Sequence, residues 1–237
     1  AAQNSDRSVL LLEAGRSFGA AEDFPRDVLD ARTYAAMLPG NPSNWSMTAR
    51  LTDDISAPVA RGKIIGGSSA INGMIWLRAT RADYDGWLEA GNPGWGYADV
   101  LPHLNRTEAD RDFPNAEYHG NDGPVPVTRA LHGPQHPSTE AFFAACEHLG
   151  YAYTEDKNSP DSSGYGHLPL NVSEGVRVST ALAYLCRTGV PDNLTVQAES
   201  LVHRVVVQDG KVTGVEVERD AGSRRSGRAR SCCRQVR

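Results

Sequence analysis

Apolar positions along the chain follow two spacings, one typical of buried strands and one typical of amphipathic helices. Residues 9–12 are all apolar, which suits a central strand of a parallel sheet that is covered on both faces. Residues 142–149 place apolar side chains at i, i+3, i+4 and i+7, which predicts a helix with one buried face. Further helices are expected over residues 28–38, 82–90, 97–105 and 179–185. The side chains expected to face inward from the helix at 82–90 are Tyr84, Trp87 and Leu88.

The last third of the chain contains the pattern of a β-hairpin. Apolar-rich runs at 201–207 and 212–218 flank Asp209-Gly210, and an Asp-Gly pair between two such runs is a hairpin signal. In the second run valine alternates with glutamate, so that strand is expected to have one face in water. Residues 108–137 are instead rich in Gly, Pro, Asn and His, and they predict long loops around a short strand at 125–128.

Length and composition allow an ordinary globular protein. The 237 residues are enough for one large domain or two small ones. The chain is 40% hydrophobic and 22% charged, as folded soluble proteins are. No apolar run approaches the ~20 residues that a membrane span needs. Residues 1–8 show no basic region followed by an apolar core, so no signal peptide is expected.

Charge and cysteine content indicate which partners, metal sites and cellular settings the sequence favours. The net charge is −5, but residues 1–220 carry 18 Lys and Arg against 29 Asp and Glu, or −11, because the last 17 residues hold six Arg and no acid. An acidic body argues against nucleic acid as the main partner. The four cysteines have no metal-ligand spacing, and no predicted helix carries a His-x-x-x-His pair, so no metal site is expected. The adjacent pair Cys232-Cys233 is a poor disulfide, which predicts a cytoplasmic setting.

Candidate chemistry is concentrated in the stretch 61–85, RGKIIGGSSAINGMIWLRATRADYD. Glycine permits backbone angles that other residues avoid and lets a ligand approach the main chain, and successive N–H groups in such a loop can bind an anion. Ser68, Ser69 and Asn72 offer hydrogen bonds to a flat polar heterocycle or to its phosphates. The stretch therefore suggests a loop around a nucleotide-like cofactor. A tight Gly-Gly turn before a buried strand is the alternative.

An acidic residue closes the first apolar run. In doubly wound folds, an acid at the carboxyl end of such a strand holds the ribose of an adenosine. Glu13 occupies that position here. A solvent-exposed glutamate at the start of a loop explains the same pattern.

The order and spacing of 61–85 resemble the first signature of the glucose–methanol–choline (GMC) flavin oxidoreductases. The matching positions are Gly62-Lys63, Gly66-Gly67-Ser68-Ser69, Ile71, Asn72, Trp76 and Asp85. The likeness continues through residues 84–97, and Glu13 lies in a segment, VLLLEAG, that is similar to one in the family. A later segment is also similar, at Arg177, Ser179, Thr180, Tyr184 and Leu185. The choline-dehydrogenase and alcohol-dehydrogenase branch is the most similar part of the family.

The resemblance implies an α/β fold: a partial, doubly wound FAD-binding domain of the Rossmann type with an inserted α+β cap or substrate region. It divides the chain into an incomplete first FAD-binding segment at 1–80, a cap region at 81–175, a second FAD-binding segment at 176–220 and an aberrant basic tail at 221–237. The implied FAD contacts are Glu13 on the ribose, Val202 on the adenine through its backbone, and Ile64, Gly66, Gly67, Ser68, Ser69, Asn72, Gly73, Met74 and Ile75.

The implied activity is FAD-dependent oxidation of a primary alcohol, choline-like or other, with hydride transfer to flavin N5 and an electron acceptor that the sequence does not specify. Some relatives attach FAD covalently through a histidine, and Ile71 stands at that position here, so FAD is expected to be noncovalent. None of the seven histidines lies in the family's catalytic motif, so no catalytic residue is expected within the chain. A lyase of the same fold and an inactive, truncated gene product are the alternatives.

Two departures from the family pattern favour a fragment. The Gly-rich phosphate loop should precede the ribose-binding acid by about 20 residues. Only twelve residues precede Glu13, and none is a glycine. The tail, SRRSGRARSCCRQVR, fits no element of the family, and a frameshift within it is our hypothesis. The expected catalytic region then lies beyond the C-terminus.

Overall fold

A computed structural model of the chain describes residues 2, 6–129, 135–187 and 189–219. These residues form two compact units. The first contains the described residues within 1–29, 33–72 and 180–237, and the second contains 30–32 and 73–179. The chain therefore passes between the units after residues 29, 32, 72 and 179. The division of the chain at 80 and 175 into FAD-binding segments and a cap region stays a prediction. The predicted tail at 221–237 lies outside the described residues.

The described part of the chain mixes short strands with short helices. The helices are α1 (Arg26–Leu29), α2 (Arg81–Glu89), α3 (Tyr97–Asn105) and α4 (Pro137–His148). Single 3-10 turns occur at Ala21–Asp23, Ala35–Met37 and Gly67–Ala70, and Leu182–Cys186 is a helical turn with π-type hydrogen bonds. The strands are β1 (Val9–Leu12), β2 (Met47–Arg50), β3 (Ser56–Val59), β4 (Glu108–Asp110), β5 (Val125–Val127), β6 (Val172–Ser173), β7 (Val176–Arg177), β8 (Leu194–Gln197), β9 (Ser200–Gln208) and β10 (Lys211–Arg219).

In the first unit, β1 pairs in parallel with β8, and the register runs from Val9 opposite Leu194 to Leu12 opposite Gln197. The expected parallel pairing is therefore present. The expected central position is not seen, because β1 has only β8 as a partner among the described residues, and the expected cover on both faces is incomplete, because Leu10 is exposed. The hairpin of β9 and β10 around Asp209-Gly210 is confirmed. The pair β2–β3 is antiparallel and leads into the glycine-rich stretch.

The continuous helix expected at 28–38 is wrong. Helix α1 ends at Leu29, and only a 3-10 turn follows at Ala35–Met37. Asp30 instead forms an antiparallel bridge with Val176, and the Ala31 N–H donates to the Gly175 carbonyl at 2.9 Å. Pairing with a distant strand therefore overrides the local helical pattern.

In the second unit, α2 and α3 lie where the sequence predicts them. Thr80 caps α2, since its backbone N–H donates to the Asp83 carboxylate at 2.8 Å and its hydroxyl accepts from the Asp83 N–H. The expected inward face is only partly correct, because Trp87 and Leu88 are exposed. Trp87 packs edge-on against Tyr84 and Trp95 at the surface.

Helix α4 is also present, but its predicted buried face is not. Cys146 is buried as expected, whereas Phe142 is 58% exposed and Leu149 is 71% exposed. Two short pairs complete this unit, the parallel pair β4–β5 and the antiparallel pair β6–β7. Across the part of the chain that the structure describes, no helix has the length and apolar character needed to cross a bilayer. The cytoplasmic setting stays a prediction.

Candidate functional site

The segment that follows β1 is held on one side by the start of β9. The Ser200 N–H donates to the Glu13 carbonyl at 2.8 Å, and the Glu199 N–H donates to the Gly15 carbonyl at 2.9 Å. These bonds extend the β1–β8 pairing past its last strand residues. Glu13 is therefore fixed at the carboxyl end of a parallel strand, the position that nucleotide-binding α/β folds use for ligands.

On its other side the same segment packs against the beginning of the glycine-rich stretch. Arg16 and Ile64 form a parallel bridge, and the Ile65 N–H donates to the Arg16 carbonyl at 2.9 Å. The two backbones approach so closely that a Cβ atom on Gly15 would lie 1.9 Å from the Lys63 carbonyl oxygen. A glycine is required at 15 because no side chain fits between the two segments.

The Glu13 carboxylate is half-buried at this junction. Its Oε1 accepts a hydrogen bond from the Gly15 N–H at 2.7 Å. Burial raises the pKa of Glu13 above its ordinary value, against the lowering effect of backbone hydrogen bonds from Gly15 and Ala14. A carboxylate of this kind can accept hydrogen bonds from a pair of sugar hydroxyl groups.

The loop at 62–72 folds back on itself around a second close approach. A Cβ atom on Gly62 would lie 2.1 Å from the Gly67 carbonyl oxygen. The Gly62 N–H donates to the Ser68 hydroxyl at 3.1 Å, and the Gly67 N–H donates to the Ile64 carbonyl at 2.8 Å. The loop is therefore a compact turn built from its own backbone, and the glycine at 62 permits the crossing.

Ser69 joins this loop to a segment 111 positions later in the sequence. Its hydroxyl donates to the Gly66 carbonyl at 2.6 Å and accepts from the Thr180 N–H at 3.0 Å. The sequence singled out both segments, but nothing in it pointed to a contact between them.

The structure places the predicted FAD contacts in both units. Glu13, Ile64, Asn72, Val202 and residues 66–69 belong to the first unit, whereas Gly73, Met74 and Ile75 belong to the second. Ile64 and Ile71 are each 1% exposed, so their side chains belong to the core of the loop. Val202 lies in β9 opposite Val217. The assignment of these residues to FAD stays a prediction.

Sequence reasoning missed a buried group of ionisable side chains in the second unit. We call it the His119 cluster. It consists of Arg78, Glu108, Asp110, His119, Arg129 and Asp156, all of which have side chains that are at most 7% exposed. No sequence motif contains these residues, because they are spread over 79 positions and come from separate loops and strands.

His119 is the centre of this cluster. Its Nδ1 lies 2.6 Å from Glu108 Oε1 and its Nε2 lies 2.8 Å from Asp156 Oδ2. Carboxylates only accept hydrogen bonds, so both ring nitrogens must carry protons and the imidazole is a cation. Burial lowers the pKa of His119, but the hydrogen bonds to Asp156 and Glu108 outweigh it and raise the pKa to about 9.

Two arginines complete the charge balance. Arg129 contacts Asp110 at 2.8 Å and Asp156 at 2.7 Å, and Arg78 contacts Glu108 at 2.7 Å. The cluster thus pairs three cations with three carboxylates. Burial raises the pKa of Asp156, but its hydrogen bonds with His119 and the Asn158 N–H, and the nearby Arg129 charge, bring the pKa below its ordinary value.

Glu108, Asp110 and His119 also bring possible metal ligands within 4.8 Å of one another. A metal ion there would have to displace the protons of His119 and compete with the two guanidinium groups, which already supply the positive charge. The arrangement is that of an ion-pair network, and the expectation of no metal site stays a prediction.

Comparison with known proteins identifies the family. The family model described as GMC oxidoreductase matches residues 11–232. A GMC-type oxidoreductase encoded in the thcA 5′ region of Rhodococcus erythropolis is 39% identical over 223 residues, which cover 94% of this chain and 44% of that protein. Human mitochondrial choline dehydrogenase is 33% identical over 232 residues, which cover 92% of this chain and 37% of that protein.

Solved structures agree with this assignment. Pyridoxine 4-oxidase from Mesorbium loti superposes with a TM-score of 0.80 at 29% identity, covering 93% of this chain and 43% of that one. A variant of formate oxidase from Aspergillus oryzae, studied for its FAD modification, superposes with a TM-score of 0.76 at 26% identity, covering 93% and 39%. The chain spans less than half the length of each of these relatives. Its sequence and its α/β fold, with a partial Rossmann-like domain, together show that this chain belongs to the GMC oxidoreductase family.

Proposed function

We propose that this chain binds FAD without a covalent bond, as part of an oxidoreductase that acts on the CH–OH group of a primary alcohol. The observation that carries the proposal is the position of Glu13. It lies at the carboxyl end of a parallel strand and is locked against the glycine-rich stretch through the Arg16–Ile64 bridge. Membership of the GMC family supplies the identity of the cofactor.

The residues fit a flavin adenine dinucleotide in two ways. The half-buried Glu13 carboxylate suits the hydroxyl groups of the adenosine ribose. The space next to Gly67 is open, since a Cβ atom there would meet no heavy atom within 4 Å, so a ligand can approach its backbone. Bound FAD supplies the hydride-accepting ring of such enzymes, while the protein binds and orients it.

The chain's own side chains support noncovalent binding. Ile71 stands where some relatives have the histidine that attaches to the flavin, and an isoleucine has no nucleophilic atom. It is also fully buried, so its role is packing. Release of all flavin on acid precipitation of the loaded protein is the expected result.

A choline-like alcohol is the substrate class that the relatives favour. Several are named oxygen-dependent choline dehydrogenase, including one from Photobacterium profundum that is 33% identical over 220 residues. No residue of this chain is proposed as the catalytic base, so we expect no turnover of choline with an artificial electron acceptor by the chain alone. Turnover in that assay would show that the chain alone is active, and it would contradict the alternative of an inactive, truncated gene product.

The proposal is tested by titrating the chain with FAD and with FMN, which lacks the adenosine. Glu13→Gln keeps the size of the side chain and removes its charge. Because a hydrogen bond to a charged group contributes about 1.5–3 kcal/mol, we expect FAD to bind about 10- to 100-fold more weakly to the variant. FMN affinity should not change. Flavin fluorescence measures both.

Glu22→Gln is the matched control, because Glu22 is an exposed acid of the same unit. It should bind FAD like the wild type. A wild-type chain without affinity for FAD would overturn the proposal. An equal loss of FAD and FMN affinity in Glu13→Gln would show instead that Glu13 acts on the fold and not on the ribose.

A further inference from the structure

Two hydroxyl side chains of the first unit meet on a single backbone carbonyl. The Ser69 hydroxyl lies 2.6 Å from the Gly66 carbonyl oxygen, and the Thr180 hydroxyl lies 3.3 Å from the same atom. The two hydroxyl oxygens are 3.0 Å apart. The Thr180 N–H closes the set by donating to the Ser69 oxygen at 3.0 Å. We call these three residues, Gly66, Ser69 and Thr180, the Gly66 clamp.

The clamp uses the hydroxyl group of Ser69, which the sequence analysis assigned to the cofactor. A serine hydroxyl has one proton to donate. In Ser69 that proton goes to the Gly66 carbonyl, and an oxygen lone pair receives the Thr180 N–H. The Ser68 hydroxyl likewise accepts the Gly62 N–H. Both serines therefore serve the backbone of the loop.

The residue that the clamp holds is conformationally free by itself. Gly66 has φ +91°, and Gly67 follows with φ +56°, both in the left-handed region. Glycine loses more conformational freedom on folding than any other residue, so an unrestrained Gly-Gly turn is costly to order. Two hydroxyl groups on the Gly66 carbonyl fix the orientation of the peptide between these two glycines.

We propose that Thr180 and Ser69 are positioning residues for FAD, which order the loop at 66–70 before the cofactor binds. This inference rests on the proposed function. A loop that is already ordered does not have to lose that freedom on binding, so the clamp raises affinity without touching the ligand. Thr180 also begins the segment that returns to the first unit after the second unit. The order of the loop at 66–70 therefore depends on a residue from the segment that follows the second unit.

The test compares Thr180→Val with Thr180→Ser. Valine keeps the branched shape and removes the hydroxyl, whereas serine retains the hydroxyl. The first readout is hydrogen exchange of the Gly67 and Ile71 amides without flavin, since these donate to the Ile64 and Ser68 carbonyls within the loop. We expect several-fold faster exchange in Thr180→Val and wild-type exchange in Thr180→Ser.

The second readout is FAD affinity by flavin fluorescence. The loss of one neutral hydrogen bond corresponds to about 3- to 10-fold weaker binding, which we expect in Thr180→Val and not in Thr180→Ser. Thr195→Val is the control, because it makes the same chemical change at an exposed position of β8. It should match the wild type in both readouts.

The outcomes distinguish a failure of the inference about the Gly66 clamp from a failure of the proposed function. Wild-type exchange and wild-type FAD affinity in Thr180→Val would overturn the inference while leaving FAD binding intact. A wild-type chain that does not bind FAD would overturn the proposed function, and with it the assignment of the clamp to FAD. If Thr180→Val does not fold, Ser69→Ala replaces it, with the same two readouts and the same expected direction.

Discussion

The Glu13 junction of the first unit and the His119 cluster of the second are stabilised by different interactions. At the junction, neutral backbone groups meet directly and Gly15 permits the approach, as Gly62 does at the second crossing within the loop at 62–72. In the cluster, six ionisable side chains are buried together and each depends on a partner of opposite charge. A backbone crossing needs a missing side chain, which is visible in the sequence as a glycine. An ion pair needs only proximity, which the sequence does not record.

This difference also predicts how strongly mutations destabilise each region. Removing one member of a buried ion pair leaves an uncompensated charge, which is strongly destabilising. Adding a methyl group at a backbone crossing forces two segments apart, which costs less if the chain can shift. Mutations in the two regions should therefore differ in magnitude and in whether they affect flavin binding.

The largest effect is expected for Arg129→Met. The arginine pairs with both Asp110 and Asp156, and its loss leaves these two buried carboxylates with one fewer cation. We expect the free energy of unfolding of the second unit to fall by about 3–5 kcal/mol. Urea unfolding followed by tryptophan fluorescence measures it, since Trp76 donates to Glu108 at 2.7 Å and reports on the cluster.

Arg32→Met is the matched control in the same unit, because the Arg32 side chain, which pairs with Asp30, is 81% exposed. Its effect should be small. The double variant Arg129→Met/Asp110→Asn should recover part of the loss, since it removes one of the unpaired charges. If Arg129→Met alone is no less stable than Arg32→Met, the His119 cluster does not stabilise the second unit.

A smaller effect is expected for Gly62→Ala. The added Cβ atom would lie 2.1 Å from the Gly67 carbonyl oxygen, so the loop must move. We expect a loss of about 1–3 kcal/mol in the stability of the first unit, together with weaker FAD binding. Thermal unfolding and flavin titration measure the two effects. Gly19→Ala is the control, since its Cβ atom would come no nearer than 3.9 Å to Asp23 Oδ2, and equal behaviour of the two variants would contradict the role of the crossing.

The smallest effect is expected from pH. The pKa of His119 in the folded chain is about 9, above the ordinary value of 6.5. A raised pKa means that the stabilising contribution is fully present below pH 6.5 and is lost as the pH rises through 9. We expect the second unit to lose about 1–2 kcal/mol of stability between pH 6.5 and about pH 8, measured by urea unfolding across that range. The first unit should change less.

His119→Gln supplies the control for this titration. Glutamine keeps a hydrogen-bonding side chain and does not titrate, so the variant should be less stable at pH 6.5 and nearly independent of pH up to 9. An unchanged pH dependence in this variant would assign the titration to another group and contradict the raised pKa of His119.

Local patterns predicted the elements whose determinants are local. Asp209-Gly210 between two apolar runs predicted the hairpin, and the capping residues Thr80 and Asp83 lie at the start of a helix that was expected from its sequence. Prediction was wrong where a distant partner decides the structure. Asp30 pairs with Val176 and interrupts an expected helix.

The family and the segments that form the candidate site are readable from the sequence without coordinates. Glycines, a strand and a terminal acid are local features, and their order along the chain is recognisable. The contacts of Ser69 and Thr180 with the Gly66 carbonyl, and of His119 with two carboxylates, became visible only in three dimensions. The physical reason is that hydrogen bonds and ion pairs act over a few ångströms in space, whereas Thr180 lies 114 positions from Gly66 and Asp156 lies 37 positions from His119 along the chain.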